Sequence, residues 1–158
     1  MSNRRVFLAS LLACASVSLG SCVKLQQLRS APPKPIPYDV FDQYFVKNTV
    51  EPLPGTNIRQ GFCKTQAEFD ALFGPAALNQ ENQFIPENYF DSHVVFYYIQ
   101  WGNTSWDYKV ESLTSEGNAL NLQISQSGTP SDEAMFSPCL ILGIDKSVPH
   151  ASIRLTQV

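Results

Sequence analysis

The sequence has little of what catalysis and nucleic-acid binding require. Only two of its 158 residues are histidines, only 16% are charged, and acidic residues outnumber basic ones by 14 to 11. Lysine and arginine form no cluster of the kind that binds DNA or RNA. The chain also lacks a Gly-x-Ser-x-Gly motif, a His-x-x-x-His motif and a phosphate-binding loop. We therefore predict no nucleic-acid partner, no metal site and no catalytic residue that a motif would identify.

A long hydrophobic run is missing as well, but a shorter one near the N-terminus has the length of an export signal. Two arginines precede Val6–Val17, which is apolar apart from two serines. A transmembrane helix needs about 20 apolar residues, whereas the core of a signal peptide needs about 7–15. Leu19-Gly20-Ser21-Cys22 follows and resembles the lipobox of bacterial lipoproteins, whose cysteine becomes the first mature residue. We predict a signal peptide over residues 1–21 and covalent diacylglycerol and acyl lipid, such as palmitate, on Cys22.

Two other interpretations of the N-terminus stay open. A second lipobox would end at Cys14, but it would leave an apolar core of only eight residues, Val6–Ala13. The other interpretation is an ordinary secretory signal followed by an incidental cysteine at position 22.

Lipid on Cys22 would decide where the protein resides. Each buried CH₂ contributes about 0.8 kcal/mol, so several acyl chains hold a soluble domain on a membrane without a spanning helix. The next residue is Val23 rather than aspartate, which resembles the outer-membrane address of enteric-type lipoproteins. We predict a protein of the bacterial cell envelope, lipid-anchored at the outer membrane and facing the periplasm or the surface.

Proline is concentrated between the predicted anchor and the domain. Six prolines fall between Pro32 and Pro54, which predicts a lipid-anchored, Pro-rich tether over residues 22–57. Ala31–Pro37 favours polyproline II, a conformation that extends about 3.1 Å per residue. Tyr38–Val46 is too aromatic for a pure linker. It can pack on the domain as a short helix or strand, or dock a partner, and packing is favoured because aromatic side chains bury large areas on folding.

Cysteine is scarce, and its count after export is even. Once Cys14 is removed and Cys22 is acylated, only Cys63 and Cys139 remain. In an oxidising compartment such a pair usually forms a disulfide, and closing the loop of 77 residues would contribute about 4.5 kcal/mol in the chain-entropy model. A disulfide requires Cα atoms within about 7 Å of each other. Two buried free thiols or one reactive thiol are the alternatives.

Residues 58–158 have the length and the pattern of one domain. Asn57–Phe62 predicts a short strand. Thr65-Gln66-Ala67-Glu68 is a capping box, in which the threonine oxygen and the glutamate carboxylate each accept from the other residue's backbone amide. A helix is therefore predicted to begin here and to stop at Gly74-Pro75.

The chain then alternates strands and turns. His93–Ile99 is apolar on both faces, which is typical of a central strand that is covered on both sides. Apolar and polar residues alternate over Trp106–Glu111 and again over Leu120–Ser125. The turn residues Ser115–Asn118 lie between these segments, so we predict a β-hairpin.

Two more strands are predicted near the C-terminus, at Cys139–Ile144 and over the alternating segment 151–156. One helix followed by a run of antiparallel strands predicts an α+β fold. We expect a small, mostly antiparallel β sheet or sandwich with one short helix.

Several of these segments together resemble a known family. Residues 58–158 are similar to the C-terminal domain of the protease-complex subunit PrcB family, which comprises exported bacterial proteins and lipoproteins. The segments that carry the similarity are Thr65–Phe69, His93–Ile99, Trp106–Val110 and Ser137–Lys146. The resemblance implies a non-catalytic binding or accessory domain for an exported protein such as a protease. It implies no cofactor and no catalytic residue.

The best candidate for a binding surface is aromatic. Gln100–Tyr108 places two tryptophans and a tyrosine around a polar loop, and aromatic anchors in such loops often carry binding energy. The predicted surface consists of Trp101, Asn103, Trp106 and Tyr108, with a protein or peptide as the expected partner. The same aromatic residues could instead close the end of the core.

Two other functional classes stay open. A thiol hydrolase could use Cys63 as nucleophile and His150 as base, but a disulfide at Cys63 would exclude it. A structural envelope lipoprotein without a stable partner is the remaining alternative.

Overall fold

Two four-stranded β-sheets lie face to face in a computed structural model that describes residues 33–76 and 84–158. The predicted signal peptide, Cys14, Cys22 and the first residues of the tether lie outside the described residues. The elements are, in chain order, β1 (Lys34–Pro35), β2 (Asp39–Val40), β3 (Tyr44–Val46), β4 (Ile58–Cys63), α1 (Gln66–Leu72), β5 (Phe73–Pro75), α2 (Tyr89–Ser92), β6 (His93–Gln100), β7 (Thr104–Glu116), β8 (Ala119–Pro130), β9 (Cys139–Asp145) and β10 (Ser152–Gln157).

The strand order explains how the layers form. The first sheet has the order β1-β7-β8-β10 and the second has the order β2-β9-β6-β4, while β3 and β5 form a separate two-stranded sheet. Helix α1 and the β3–β5 pair cover the face of the second sheet that is turned away from the first. The predicted fold class, a small α+β sandwich of mostly antiparallel strands with little helix, is confirmed.

Strand β6 is covered on both of its faces, as its sequence predicts. One set of alternating residues packs between the two sheets, in what we call the inner core, and the other set packs beneath α1 and β5, in the outer core. The inner-core residues of β6 are Val94, Phe96 and Tyr98, and the outer-core residues are Val95, Tyr97 and Ile99. Two opposed apolar faces therefore hold three layers together.

Strands β7 and β8 form a long antiparallel hairpin with one irregularity. Their pairing shifts register between Val110 and Ser112, so Glu111 is the extra residue of a β-bulge. Because of this shift, Val110 and Leu113 both face the inner core although they are an odd number of residues apart. Gly117 has a φ of +60°, which suits the first position of a two-residue hairpin turn. The predicted hairpin is confirmed, and the bulge is an addition to it.

Helix α1 begins at the predicted capping box. The Thr65 hydroxyl accepts from the Glu68 amide at 3.2 Å. The Glu68 carboxylate, however, accepts from the amide of Lys64 at 2.6 Å, one residue earlier than predicted, and so ties the helix to the end of β4. The helix ends at Leu72, because Phe73–Pro75 is extended and pairs with β3 as strand β5.

The tether predicted over residues 22–57 is wrong for the part that the structure describes. Strand β1 pairs with β7, β2 pairs with β9 and β3 pairs with β5. Residues from Lys34 onward therefore belong to the folded domain. Ile36 is buried in the inner core and Phe41 in the outer core, which confirms that the aromatic segment packs on the domain. Proline misled the prediction because Pro35 lies in an edge strand, where a missing N–H breaks no ladder.

Strand β10 runs parallel to β8, within a fold that was predicted to be mostly antiparallel. The chain leaves the first sheet after β8, adds β9 to the second sheet, and returns beside β8 in the same direction. The remaining strand pairs are antiparallel.

Candidate functional site

One side of the sandwich is left open between two edge strands. β4 ends the second sheet and β10 ends the first, and each is six residues long. Two cavities, of about 630 Å³ and about 400 Å³, lie along this side. The larger is lined mainly by Ile58 and Gln60 of β4 and by Leu155 and Gln157 of β10. The smaller is lined mainly by Phe62 of β4, by Lys64, which follows β4, and by Val148 and His150 in the loop before β10. We call this region the open side.

The backbone of β4 has hydrogen-bonding groups available at the open side. The Trp101 amide donates to the Asn57 carbonyl at 2.8 Å, which sets the alternation of the antiparallel ladder between β4 and β6. The N–H and C=O groups of Ile58, Gln60 and Phe62 therefore point away from β6. β4 has no second neighbour among the described strands, so Gln60 and Phe62 have no ladder partner within that part of the chain.

Apolar side chains from the same strands reach into the gap between the sheets. Ile58 and Phe62 on β4 and Ile153 and Leu155 on β10 pack against the inner core but stay partly exposed. Leu122, deeper in the same core, is fully buried. The inner core thus ends at the open side as an uncovered apolar strip.

Positive charge is concentrated at one end of this strip. Among the described residues, Lys64 and Lys146 line the cavity of about 400 Å³ and no aspartate or glutamate does, in a chain whose acidic residues outnumber its basic ones. The Lys146 ammonium also donates to the Phe90 carbonyl at 2.5 Å and so holds the end of α2. The His150 Nδ1 lies 2.6 Å from the Val148 carbonyl oxygen, so this nitrogen carries the proton that it donates.

The opposite side of the sandwich is crossed by residues 34–41, which we call the strap. β1 and β2, each two residues long, lie at its two ends and pair with different sheets. A cavity of about 300 Å³ remains beside the strap, lined by Val40–Asp42, Trp106–Tyr108 and Cys139–Ile141. A second cavity, of about 200 Å³, lies between Pro37–Asp39 of the strap and the second sheet. The cavities on this strapped side are therefore smaller than those on the open side.

The predicted aromatic surface contributes two of its residues to that cavity. Tyr108 packs against the inner core, its hydroxyl donates to the Gln100 Oε1 at 3.2 Å, and burial raises its pKa. Trp106 lies opposite Gly128 on β8, where an added Cβ would approach the indole to 2.5 Å. The tryptophan ring thus covers a glycine in the sheet, a structural contact that the sequence does not reveal.

The other two residues of the predicted surface lie elsewhere. Trp101 packs against the outer core at the end of β6. Asn103 is exposed, and its carbonyl accepts from the Ser131 amide at 2.7 Å. The four residues Trp101, Asn103, Trp106 and Tyr108 therefore do not line one cavity, although binding by Trp106 and Tyr108 stays a prediction.

The predicted disulfide between Cys63 and Cys139 is wrong. Both are free thiols, and strand β6 lies between them. Cys63 pairs with Val95 and Cys139 pairs with Ile99, four residues further along β6. The two Cα atoms are thus offset by about 13 Å along the strands and about 10 Å across them. A disulfide cannot span that distance.

The proposed pairing of Cys63 with His150 is also wrong. Cys63 is 1% exposed in the outer core, whereas His150 packs on Phe62, whose side chain points to the opposite face of β4. Burial, and then the nearby Glu68 carboxylate, raise the pKa of the Cys63 thiol to about 12. Burial raises the pKa of Cys139 to about 12 as well. Both sulfurs are therefore protonated at neutral pH and are poor nucleophiles.

A polar cluster secures the strap to the second sheet. The Tyr89 hydroxyl donates to the Asp39 Oδ2 at 2.6 Å, and the His93 ring stacks on the Tyr89 ring with centroids 4.2 Å apart. Burial, followed by the hydrogen bond to Asp39, raises the pKa of Tyr89. An added Cβ at Gly143 would lie 1.8 Å from the Tyr89 hydroxyl, so only glycine fits beneath this ring. His93 is thus part of a packing contact.

Comparison with known proteins adds no assignment: no family model, no curated protein and no solved structure matches the chain. The resemblance to the PrcB family therefore stays a prediction. Within residues 33–76 and 84–158, no group of three or more His, Cys, Asp or Glu side chains is placed to hold a metal ion. None of the described helices is long and apolar enough to cross a membrane.

Sequence reasoning missed the open side. The alternation of Ile153 and Leu155 with polar residues was visible, but it predicts a half-buried strand without saying that the strand lies at an edge. Gln60 and Lys64 carried no signal at all, because their role depends on which side of β4 has no neighbour.

Proposed function

We propose that the chain is a lipid-anchored protein of the cell envelope that acts as a non-catalytic binding or accessory subunit. The observation that carries the proposal is the open side, where two edge strands with available backbone groups flank an apolar strip. Such edges bind extended segments of other proteins by adding a strand. The partner in this proposal is an exported protein such as a protease, as the resemblance to the PrcB family implies.

The sequence supports the anchoring half of the proposal. A positively charged start, an apolar run and Leu19-Gly20-Ser21-Cys22 together have the pattern of a lipoprotein signal. Diacylglycerol and acyl lipid on Cys22 would hold the domain on the outer membrane. The domain would then face the compartment into which its partner is exported.

Intact mass of the protein extracted from its native membrane tests the anchor. We expect the mass of a chain that begins at Cys22 and carries acyl lipid. We also expect Cys63 and Cys139 to be alkylated after unfolding without any reductant, because they are free. A mass without lipid would overturn the anchor.

Site-specific photo-crosslinking in intact cells tests the binding. A crosslinker at Gln60 reports on the open side, and one at Lys109 on β7, whose side chain is 75% exposed, serves as the control. We expect an exported protein to be captured from position 60 and not from position 109. Absence of any captured protein would overturn the proposal and favour a structural envelope lipoprotein, whose deletion would sensitise the envelope although no partner is bound.

A further inference from the structure

We propose that the open side binds an extended, acidic peptide segment, which adds a strand beside β4 and places its carboxylates at Lys64 and Lys146. The inference rests on the proposed function as a binding subunit. It goes further by assigning the conformation of the bound segment and its charge.

Strand addition follows from the difference between the edges of the two sheets. Proteins protect exposed edges by keeping them short or by placing proline, bulges or inward charges on them. β1 and β2 are two residues long and β1 contains Pro35, so the strapped side has such protection. β4 pairs with β6 over six consecutive residues without a bulge or a proline, and its Gln60 and Phe62 direct N–H and C=O groups outward. An added strand would satisfy these groups.

The apolar strip specifies the pattern of the bound segment. Side chains of an extended strand alternate between two faces. A segment beside β4 would point every second side chain at Ile58, Phe62 and Leu155, which are only partly covered. Apolar residues at alternate positions would complete the inner core there.

The charge at one end of the strip specifies an acidic segment. Lys64 follows the end of β4 and lines the same cavity as Lys146, with no described carboxylate in its lining. The Glu68 carboxylate, in the first turn of α1, accepts from the Lys64 amide at 2.6 Å. A carboxylate placed here would form charge-assisted hydrogen bonds, whereas a basic segment would be repelled.

Fluorescence anisotropy with the full chain in detergent and labelled synthetic peptides tests this inference. The acidic probe is as long as β4, six residues, with valine at its two central positions and paired aspartates at both ends, so that a carboxylate faces the cavity at Lys64 in either strand direction. A matched basic probe carries lysine in place of aspartate, and a third probe is the acidic peptide with alternate amides N-methylated. We expect the acidic probe to bind at least about tenfold more tightly than either of the others. Equal binding of the acidic and basic probes, or no binding of the acidic probe, would overturn the inference.

Two substitutions locate the bound peptide. Gln60→Pro removes an N–H that points away from β6, so the ladder within the sheet stays intact while strand addition is blocked. We expect about tenfold weaker binding of the acidic probe, and unchanged binding for the control Gln60→Thr, which keeps the N–H. Lys64→Glu should weaken binding of the same probe several-fold, whereas Lys34→Glu, the same charge change on the strapped side, should not.

The outcomes separate the inference from the proposed function. If Gln60→Pro does not fold, the N-methylated probe decides, because it leaves the protein unchanged. If the crosslinker at position 60 captures a partner that the acidic probe does not displace, the acidic-strand inference fails and the binding function stands. If no partner is captured and no probe binds, both fail.

Discussion

The two sides of the sandwich differ in how the edge strands of their sheets are covered. On the strapped side, residues 34–41 pass from one sheet to the other, and the cavities beside them have volumes of about 300 Å³ and about 200 Å³. On the open side, β4 and β10 end their sheets with six residues each, and larger cavities lie between them. A β-sandwich must protect its edges or use them, and this chain protects one side with its own N-terminal segment.

This difference predicts that the strapped side contributes mainly to stability and the open side mainly to binding. The strap is fixed by buried side chains, including Phe41, and by the hydrogen bond between Tyr89 and Asp39. The open side has partly exposed side chains and exposed charges. Substitutions on the strapped side should therefore lower the free energy of unfolding, while those on the open side should change binding and leave stability nearly unchanged.

The largest effect is expected for Phe41→Ala. Phe41 is 5% exposed and contacts the Tyr89 ring edge-on at 5.3 Å between centroids. Its truncation leaves a cavity and should lower the free energy of unfolding by about 3 kcal/mol, measured by urea denaturation. The matched control is Phe45→Ala, where the ring is 49% exposed and the loss should stay below about 1 kcal/mol. Equal losses at both positions would mean that the strap is not fixed by burial.

Gly143→Ala should have the next largest effect. The added Cβ would displace the Tyr89 hydroxyl, which lies 1.8 Å from that position, and should cost about 2 kcal/mol. Gly102→Ala is the control, since no atom lies within 4 Å of its Cβ position. In thermal unfolding, the double variant Gly143→Ala/Tyr89→Phe should regain part of the stability that Gly143→Ala loses, because the clashing hydroxyl is gone. Simple additivity of the two single losses would contradict this account.

One free thiol belongs to each side, and their reactivities should differ. Cys63 on β4 is 1% exposed, whereas Cys139 is half-buried and lines the cavity beside the strap. Native-state alkylation followed by peptide mass mapping should be slow for both, because both thiol pKa values are raised to about 12, and Cys139 should react first. Faster reaction of Cys63 would show that β4 opens more readily than the strap.

The same thiols give a pH dependence whose sign is fixed. Their folded pKa values lie above the ordinary value of 9.0, so the folded state retains protons that the unfolded state releases. Their contribution to stability is present below about pH 9 and decreases as the pH rises toward about 12. Urea denaturation at about pH 8 and about pH 11 should show this decrease, and it should be smaller in the variant Cys63→Ala/Cys139→Ala. An equal decrease in the variant would assign the effect to other groups.

The smallest effect is expected on the open side. Arg154 on β10 approaches Glu116 at 3.9 Å, and both side chains are well exposed. Arg154→Ala should change the free energy of unfolding by less than about 0.5 kcal/mol in urea denaturation. A loss as large as that of Phe41→Ala would remove the distinction between the two sides.

Local signals predicted the local elements. The capping box at Thr65 located the helix start because its partners are three residues apart, and the apolar run of β6 predicted a strand covered on both faces because burial on both faces needs apolar residues at every position. The hairpin turn was found because Gly117 supplies a positive φ. Each signal involves residues that are close in the sequence.

The larger differences between prediction and structure depend on relations between distant segments. Proline in residues 32–54 predicted a tether, but two-residue edge strands accept proline, and pairing with β7 and β9 is a long-range event. The cysteine count predicted a disulfide, but it contains no information on the strand that separates Cys63 from Cys139. The candidate aromatic surface was contiguous in sequence and is divided in space, because Trp101 follows β6 of the second sheet and Trp106 lies within β7 of the first.

The sequence by itself determined the fold class, the helix start, the central strand and the hairpin, because alternation and capping act over a few residues. Only the tertiary structure decided which strands are edges, which side the N-terminal segment covers, and which polar groups meet at the open side. Edges have no signature within a strand, since they are defined by the neighbour that is absent. The candidate site of this protein therefore lies where sheet order, rather than any motif, leaves backbone groups, apolar side chains and positive charge together.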